Sequence, residues 1–133
     1  MLVRRLSDAA VTEVHGLRPH ILMDAGELGS RNMSVIWVEV PPGTSQGLRS
    51  HEEAEQVYVA VQGEGTMSAA GDTERLVPGD LALIPPATDH AIANEGEGTF
   101  ACISVVSPAV SVDELFDRQL AADVAGLDED DDY

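Results

Sequence analysis

Between Gly43 and Gly65 the chain sets an arginine, a histidine, a glutamine and a tyrosine at short intervals: Arg49, His51, Gln56 and Tyr58. A histidine among carboxylates, followed by a glutamine on a run of alternating β-formers, reads as half of a metal site on a pair of strands. Arg49 stands where a second histidine would complete such a site. Its guanidinium keeps its charge and offers a planar fork that matches a carboxylate or a phosphate. Three readings are open at this point: a metal enzyme, a metal-binding relic, and an anion-binding pocket. A second stretch adds His90, followed after three residues by Asn94 and preceded by Pro85-Pro86-Ala87. The two prolines force an extended chain without amide donors, which suits a strand that leaves a sheet edge and returns with His90 on it.

The elements that must hold these residues are strands. Met33–Val40 (MSVIWVEV) is β-branched and aromatic, and Pro41-Pro42-Gly43 stops it. Gln56–Gln62 is a second clear strand, turned by Gly63-Glu64-Gly65. TMSAA, TERLV, LALIP, HAIAN and TFACISVV follow, separated by AGD, PGD, PPATD and EGEG, all turn chemistry. Short strands at regular spacing predict an all-β antiparallel sandwich or barrel. Strand parity places Arg49 and His51 on one face, and Tyr58 on the face of Gln56.

Residues 1–33 read as an N-terminal extension of short strands and loops, and residues 34–107 as the barrel. Residues 108–126 read as a helix, with Ser111 and Glu114 as a capping box, Leu115, Phe116 and Leu120 at helical spacing, and Gly126 at its end. Residues 127–133 read as a disordered acidic tail. His15 and His20 read as surface or loop histidines, Trp37 as core or subunit-interface packing, and Asn94 as a turn cap.

The 133 residues carry a formal charge of −17, with seven arginines and no lysine. Such a field disfavours nucleic acid and anionic membranes as partners. It also fits a salt-rich, halophilic cytoplasm, where screening removes self-repulsion. A genome that favours arginine over lysine is the other explanation. A melting temperature that rises with molar KCl supports the first; insensitivity to KCl counts against it. The lone Cys102 lies in an apolar run, excludes an internal disulfide and reads as a buried thiol. No apolar run reaches membrane-spanning length, and the residues after Arg4-Arg5 lack the core of a secretion signal. The expectation is a cytoplasmic protein.

By spacing, the first block is Gly43, five residues, Arg49-Ser50-His51, four residues, Gln56, six residues, Gly63. The second is Gly79, five residues, Pro85-Pro86-Ala87, two residues, His90, three residues, Asn94, and fifteen residues separate the blocks. This pair resembles the two motifs of the cupin family, over about Ser34 to Val106. The resemblance implies a double-stranded β-helix, a jelly-roll barrel, with a site inside it. It implies His51, Gln56 and His90 as candidate ligands of a divalent metal such as Zn, Fe, Mn or Ni, with Arg49 and Tyr58 toward a substrate. Arg49 in place of the first motif histidine is the departure, and Ala87 replaces a glycine. Two functions follow: a metal-dependent enzyme, dioxygenase- or isomerase-like, acting on a small acidic or phenolic metabolite, or a metal-free anion-binding module built on Arg49. If Arg49 instead pairs with a neighbouring acid, His51 and His90 are satisfied barrel residues. The resemblance also implies a homodimer, formed by edge strands and exchanged N-terminal segments.

Overall fold

The computed structural model describes residues 1–49 and 52–115, with Arg49 described by its backbone alone. Ten strands follow in chain order: β1 (Ala10–Val11), β2 (Arg18–Met23), β3 (Ser34–Val40), β4 (Thr44–Arg49), β5 (Glu55–Gln62), β6 (Gly65–Ala69), β7 (Asp72–Leu76), β8 (Leu81–Ile84), β9 (Asp89–Asn94) and β10 (Phe100–Ser107). They form a six-stranded sheet, β1-β2-β3-β10-β5-β8, and a four-stranded sheet, β4-β9-β6-β7. Every pairing is antiparallel. This is the jelly-roll architecture that the sequence predicts.

Period-two alternation sets which side chains enter the core. In β3, Ser34, Ile36, Val38 and Val40 are buried, and the residues between them are half-exposed. In β5 the buried set is Gln56, Tyr58 and Ala60. Phe100, fully buried at the start of β10, lies over Gly65, where an added Cβ would come within 2.3 Å of its ring. Gly65 is therefore the residue that lets the phenyl ring fill the junction of the two sheets.

The N-terminal residues contribute β1 and β2 to the six-stranded sheet. His20 is in β2, paired with Trp37, rather than in a loop. His15 takes a left-handed conformation (φ 53°) in the tight turn that joins Val14 to Leu17. Residues 112–115 form one helical turn, and the Ser111 hydroxyl accepts a hydrogen bond from the Glu114 amide at 3.1 Å. The remainder of the expected helix and the acidic tail lie outside the described residues.

Candidate functional site

Three strands bring a set of polar side chains into the barrel. In register, Tyr58 of β5 stands beside Ser104 of β10, and Gln56 stands beside Val106. His90 faces them from β9, in the other sheet. Gln56, Tyr58, His90 and Ser104 are all buried. The Tyr58 hydroxyl and His90 Nε2 are 3.0 Å apart, and their rings meet edge to face at 5.5 Å. The Gln56 amide nitrogen donates to the Ser104 hydroxyl at 2.8 Å. That fixes which way the amide points and leaves its carbonyl oxygen as an acceptor.

The His90 tautomer follows from its neighbours. Nδ1 lies 3.3 Å from the Thr88 carbonyl, which can only accept, so Nδ1 carries the proton. Nε2 then presents a lone pair, and the Tyr58 O–H donates to it. Burial pushes the Tyr58 phenol far above its usual range, the buried Cys102 thiol adds to this, and a hydrogen bond with Ser104 opposes it. Burial also holds the His90 imidazole below its ordinary value, against the Thr88 carbonyl and Asp89, which favour its charged form. Both residues are therefore neutral. The ordinary values of a phenol and an imidazolium lie about 3.5 pH units apart, or about 5 kcal/mol against proton transfer. Both displacements widen that gap. The pair is a fixed hydrogen-bond couple and a poor acid–base relay.

Gln56, Tyr58 and His90 thus meet inside the barrel. His51 lies outside the described residues. Arg49 ends β4 in register with Asp89, and the position opposite His90 belongs to Leu48, which packs against the core. Sequence reasoning missed Ser104. The alternation of FACISVV puts it on the face of Phe100 and Cys102, so a polar residue on the inward period was the available signal. Cys102 is buried, and burial pushes its thiol up to about 12. Ala87 does adopt the conformation a glycine would favour (φ 59°), at a cost on the order of 1 kcal/mol.

The family model for a cupin domain matches residues 36–106, more than half of the chain. The chain belongs to the cupin family. An uncharacterized protein of Methanocaldococcus jannaschii is 31% identical to this cupin over 94 residues, which are 64% of this chain and 75% of that protein. An oxalate-binding protein of Thermotoga maritima is 29% identical over 69 residues, 52% of this chain and 57% of its own length. This cupin thus spans little more than half of that relative. In fold it is similar to a crystal structure of a predicted oxalate decarboxylase from Thermotoga maritima, with a TM-score of 0.73 at 21% identity, over 80% of this chain and 98% of the other.

Of the three candidate metal ligands, His90 and Gln56 are described. Among the described residues, no three His, Cys, Asp or Glu side chains converge as a metal cluster. The one lone pair of the His90 ring is engaged by the Tyr58 hydroxyl, so Tyr58 fills the place a metal ion would take on that nitrogen. Gln56 offers a single neutral oxygen. As arranged, His90 and Gln56 by themselves do not make a divalent-cation site, and His51, the third candidate ligand, lies outside the described residues. Among the described residues, no helix is long and apolar enough to cross a membrane.

Proposed function

We propose that this cupin is a non-catalytic binding module that holds a small carboxylate inside its barrel without a metal. The observation that carries the proposal is the hydrogen bond from Tyr58 to His90 Nε2. It occupies the lone pair a metal would need, and it joins two groups whose pKa displacements disfavour proton transfer. Gln56, Tyr58 and His90 form the neutral, hydrogen-bonding part of the site, with Ser104 orienting the Gln56 amide. Arg49 and His51 are assigned the ligand's charge from the motif spacing alone, a cation being required because the described polar groups of the interior carry no charge. The oxalate-binding relative supports a small dicarboxylate as the ligand class.

Oxalate is the probe, titrated by calorimetry into untagged protein that has met no chelator and whose metal content is measured. The expected result is oxalate binding to metal-poor protein, weakened about 10- to 100-fold in Arg49→Ala. That is the effect of losing one charge-assisted, two-pronged carboxylate contact. Unchanged affinity in Arg49→Ala removes the anion pocket. Near-stoichiometric Zn, Fe, Mn or Ni that disappears in His51→Ala replaces this proposal with the metal-dependent enzyme, its ligands His51, Gln56 and His90.

A further inference from the structure

The buried polar side chains of the barrel form a hydrogen-bonded chain with a direction. At one end the Thr88 carbonyl, which can only accept, takes the proton of His90 Nδ1. His90 Nε2 must then accept, and it accepts from the Tyr58 hydroxyl at 3.0 Å. With its own proton so used, the Tyr58 oxygen takes a hydrogen bond from Ser104, its direct neighbour across β5 and β10. The Ser104 proton is spent there, so the Ser104 oxygen accepts from the Gln56 amide nitrogen at 2.8 Å. A hydroxyl has one proton to give, so each step fixes the next. One backbone carbonyl thus decides, through His90, Tyr58 and Ser104, which way the Gln56 amide points.

The bonding capacity left over is mostly of one kind. Ser104 and Tyr58 keep lone pairs and no proton, while Gln56 keeps its carbonyl oxygen and the second proton of its amide nitrogen. The other buried polar side chains among the described residues are committed elsewhere: Ser34 to the Val110 carbonyl, and Asn94 to Val40, Gly98 and Gly96. The next buried pair along β5 and β10, Ala60 and Cys102, adds no oxygen or nitrogen. The Gln56 oxygen is also open. Among the described residues the one sealed side-chain polar atom without a partner is His20 Nε2, so the Gln56 oxygen, which accepts from no described group, is reached by solvent. We infer that the ligand is a small hydroxy-carboxylate, with its hydroxyl bonded to Gln56 inside the barrel. The inference rests on the carboxylate reading above, which gives the ligand's charge to Arg49 and His51. A hydroxyl both donates and accepts, so it satisfies the Gln56 oxygen and the remaining amide proton together. A second carboxylate only accepts: it takes that one proton but sets its lone pairs against those of Gln56, Ser104 and Tyr58. Oxalate can still engage the cationic end, so it remains a fair probe of Arg49. An ammonium only donates, and a methyl group does neither. Gln56 is therefore the residue that sets specificity, and Ser104 positions it.

The test is calorimetry of the full chain, metal-poor, with acetate, glycolate and oxalate, and with Ser104→Ala and Arg49→Ala beside wild type. Acetate and glycolate carry the same charge and differ by the hydroxyl alone. Glycolate is expected to bind at least about 10-fold more tightly than acetate, the factor of one hydrogen bond to an otherwise unpaired group, and more tightly than oxalate. In Ser104→Ala the Gln56 amide loses its fixed direction, so the preference for glycolate over acetate should shrink to within about 3-fold while acetate affinity holds. Equal affinities for glycolate and acetate in wild type, both lost in Arg49→Ala, overturn the inference and leave the carboxylate site standing. A preference that a folded Ser104→Ala variant leaves intact also overturns it, because the hydroxyl is then read by a group other than the oriented amide. If none of the three ligands binds, the carboxylate reading fails and the inference falls with it. The wild-type comparison decides the matter by itself if Ser104→Ala misfolds.

Discussion

Gly63→Ala is expected to destabilise the protein by about 3 kcal/mol or more, the sum of two costs. Gly63 has φ 66°, a left-handed conformation, which costs an alanine about 1–2 kcal/mol. A Cβ there would also lie 2.2 Å from the Thr99 carbonyl oxygen, 3.1 Å from its carbon and 3.3 Å from the Phe100 Cα. These are backbone atoms at the entry to β10, so no side chain can swing aside, and overpacking of this kind costs about 1–3 kcal/mol more. Gly79 is the control. Its φ is 100°, but a Cβ added there meets nothing within 4 Å. Gly79→Ala should therefore lose only the conformational part. Urea unfolding of both variants checks this, and equal losses would show that crowding at Thr99 contributes nothing.

Asn94→Ala is expected to cost about 3 kcal/mol. The side chain is 1% exposed. Its amide nitrogen donates to the Val40 carbonyl at 2.8 Å and to the Gly98 carbonyl at 2.7 Å, and its oxygen accepts from the Gly96 amide at 3.0 Å. One residue thus fixes the turn before β10 and ties β9 to the end of β3 across the two sheets. Each bond contributes about 1 kcal/mol, and alanine leaves two carbonyls and an amide without their partner. Asn94→Asp tests the donors separately. It keeps the acceptor for Gly96 but faces two carbonyl oxygens with a charge, so it should cost at least as much as alanine. An Asp variant as stable as wild type would show that the two donated bonds carry little. Because His90 is on the same face of β9, the proposed carboxylate site predicts that any oxalate affinity falls together with stability in these variants.

Much of the fold was legible because β3, β5 and β10 are long, β-branched and bounded by Pro or Gly. The spacing from Gly43 to Asn94 then selected one architecture among the antiparallel ones. The site was legible in part. Gln56, Tyr58 and His90 could be paired because strand parity and motif spacing fix them. Ser104 could not, since a serine in an apolar strand looks the same whether or not an amide bonds to it. Arg49 shows a different limit. Parity within one strand says which residues share a face, but not which face turns inward. That depends on the partner strand, and an offset of one residue inverts it. The register puts Leu48 opposite His90, and nothing in the sequence of β4 specifies this. His20 read as a loop residue because RPHILM is a weak strand on its own; pairing with β3 makes it one.

The place of β10 has a consequence for how the chain is made. This strand, the last among the described residues, lies between β3 and β5 and pairs with both, so Ser34 finds its strand partner only at Val106. Until residue 107 has left the ribosome, β1-β2-β3 and β5-β8 remain separate pieces with their apolar faces bare. Closing this sheet is therefore a non-local event that waits on residues 100–107, and pairing of that kind is slow for a chain of this size. In that interval a formal charge of −17 favours repulsion between incompletely folded copies over association of their bare apolar faces.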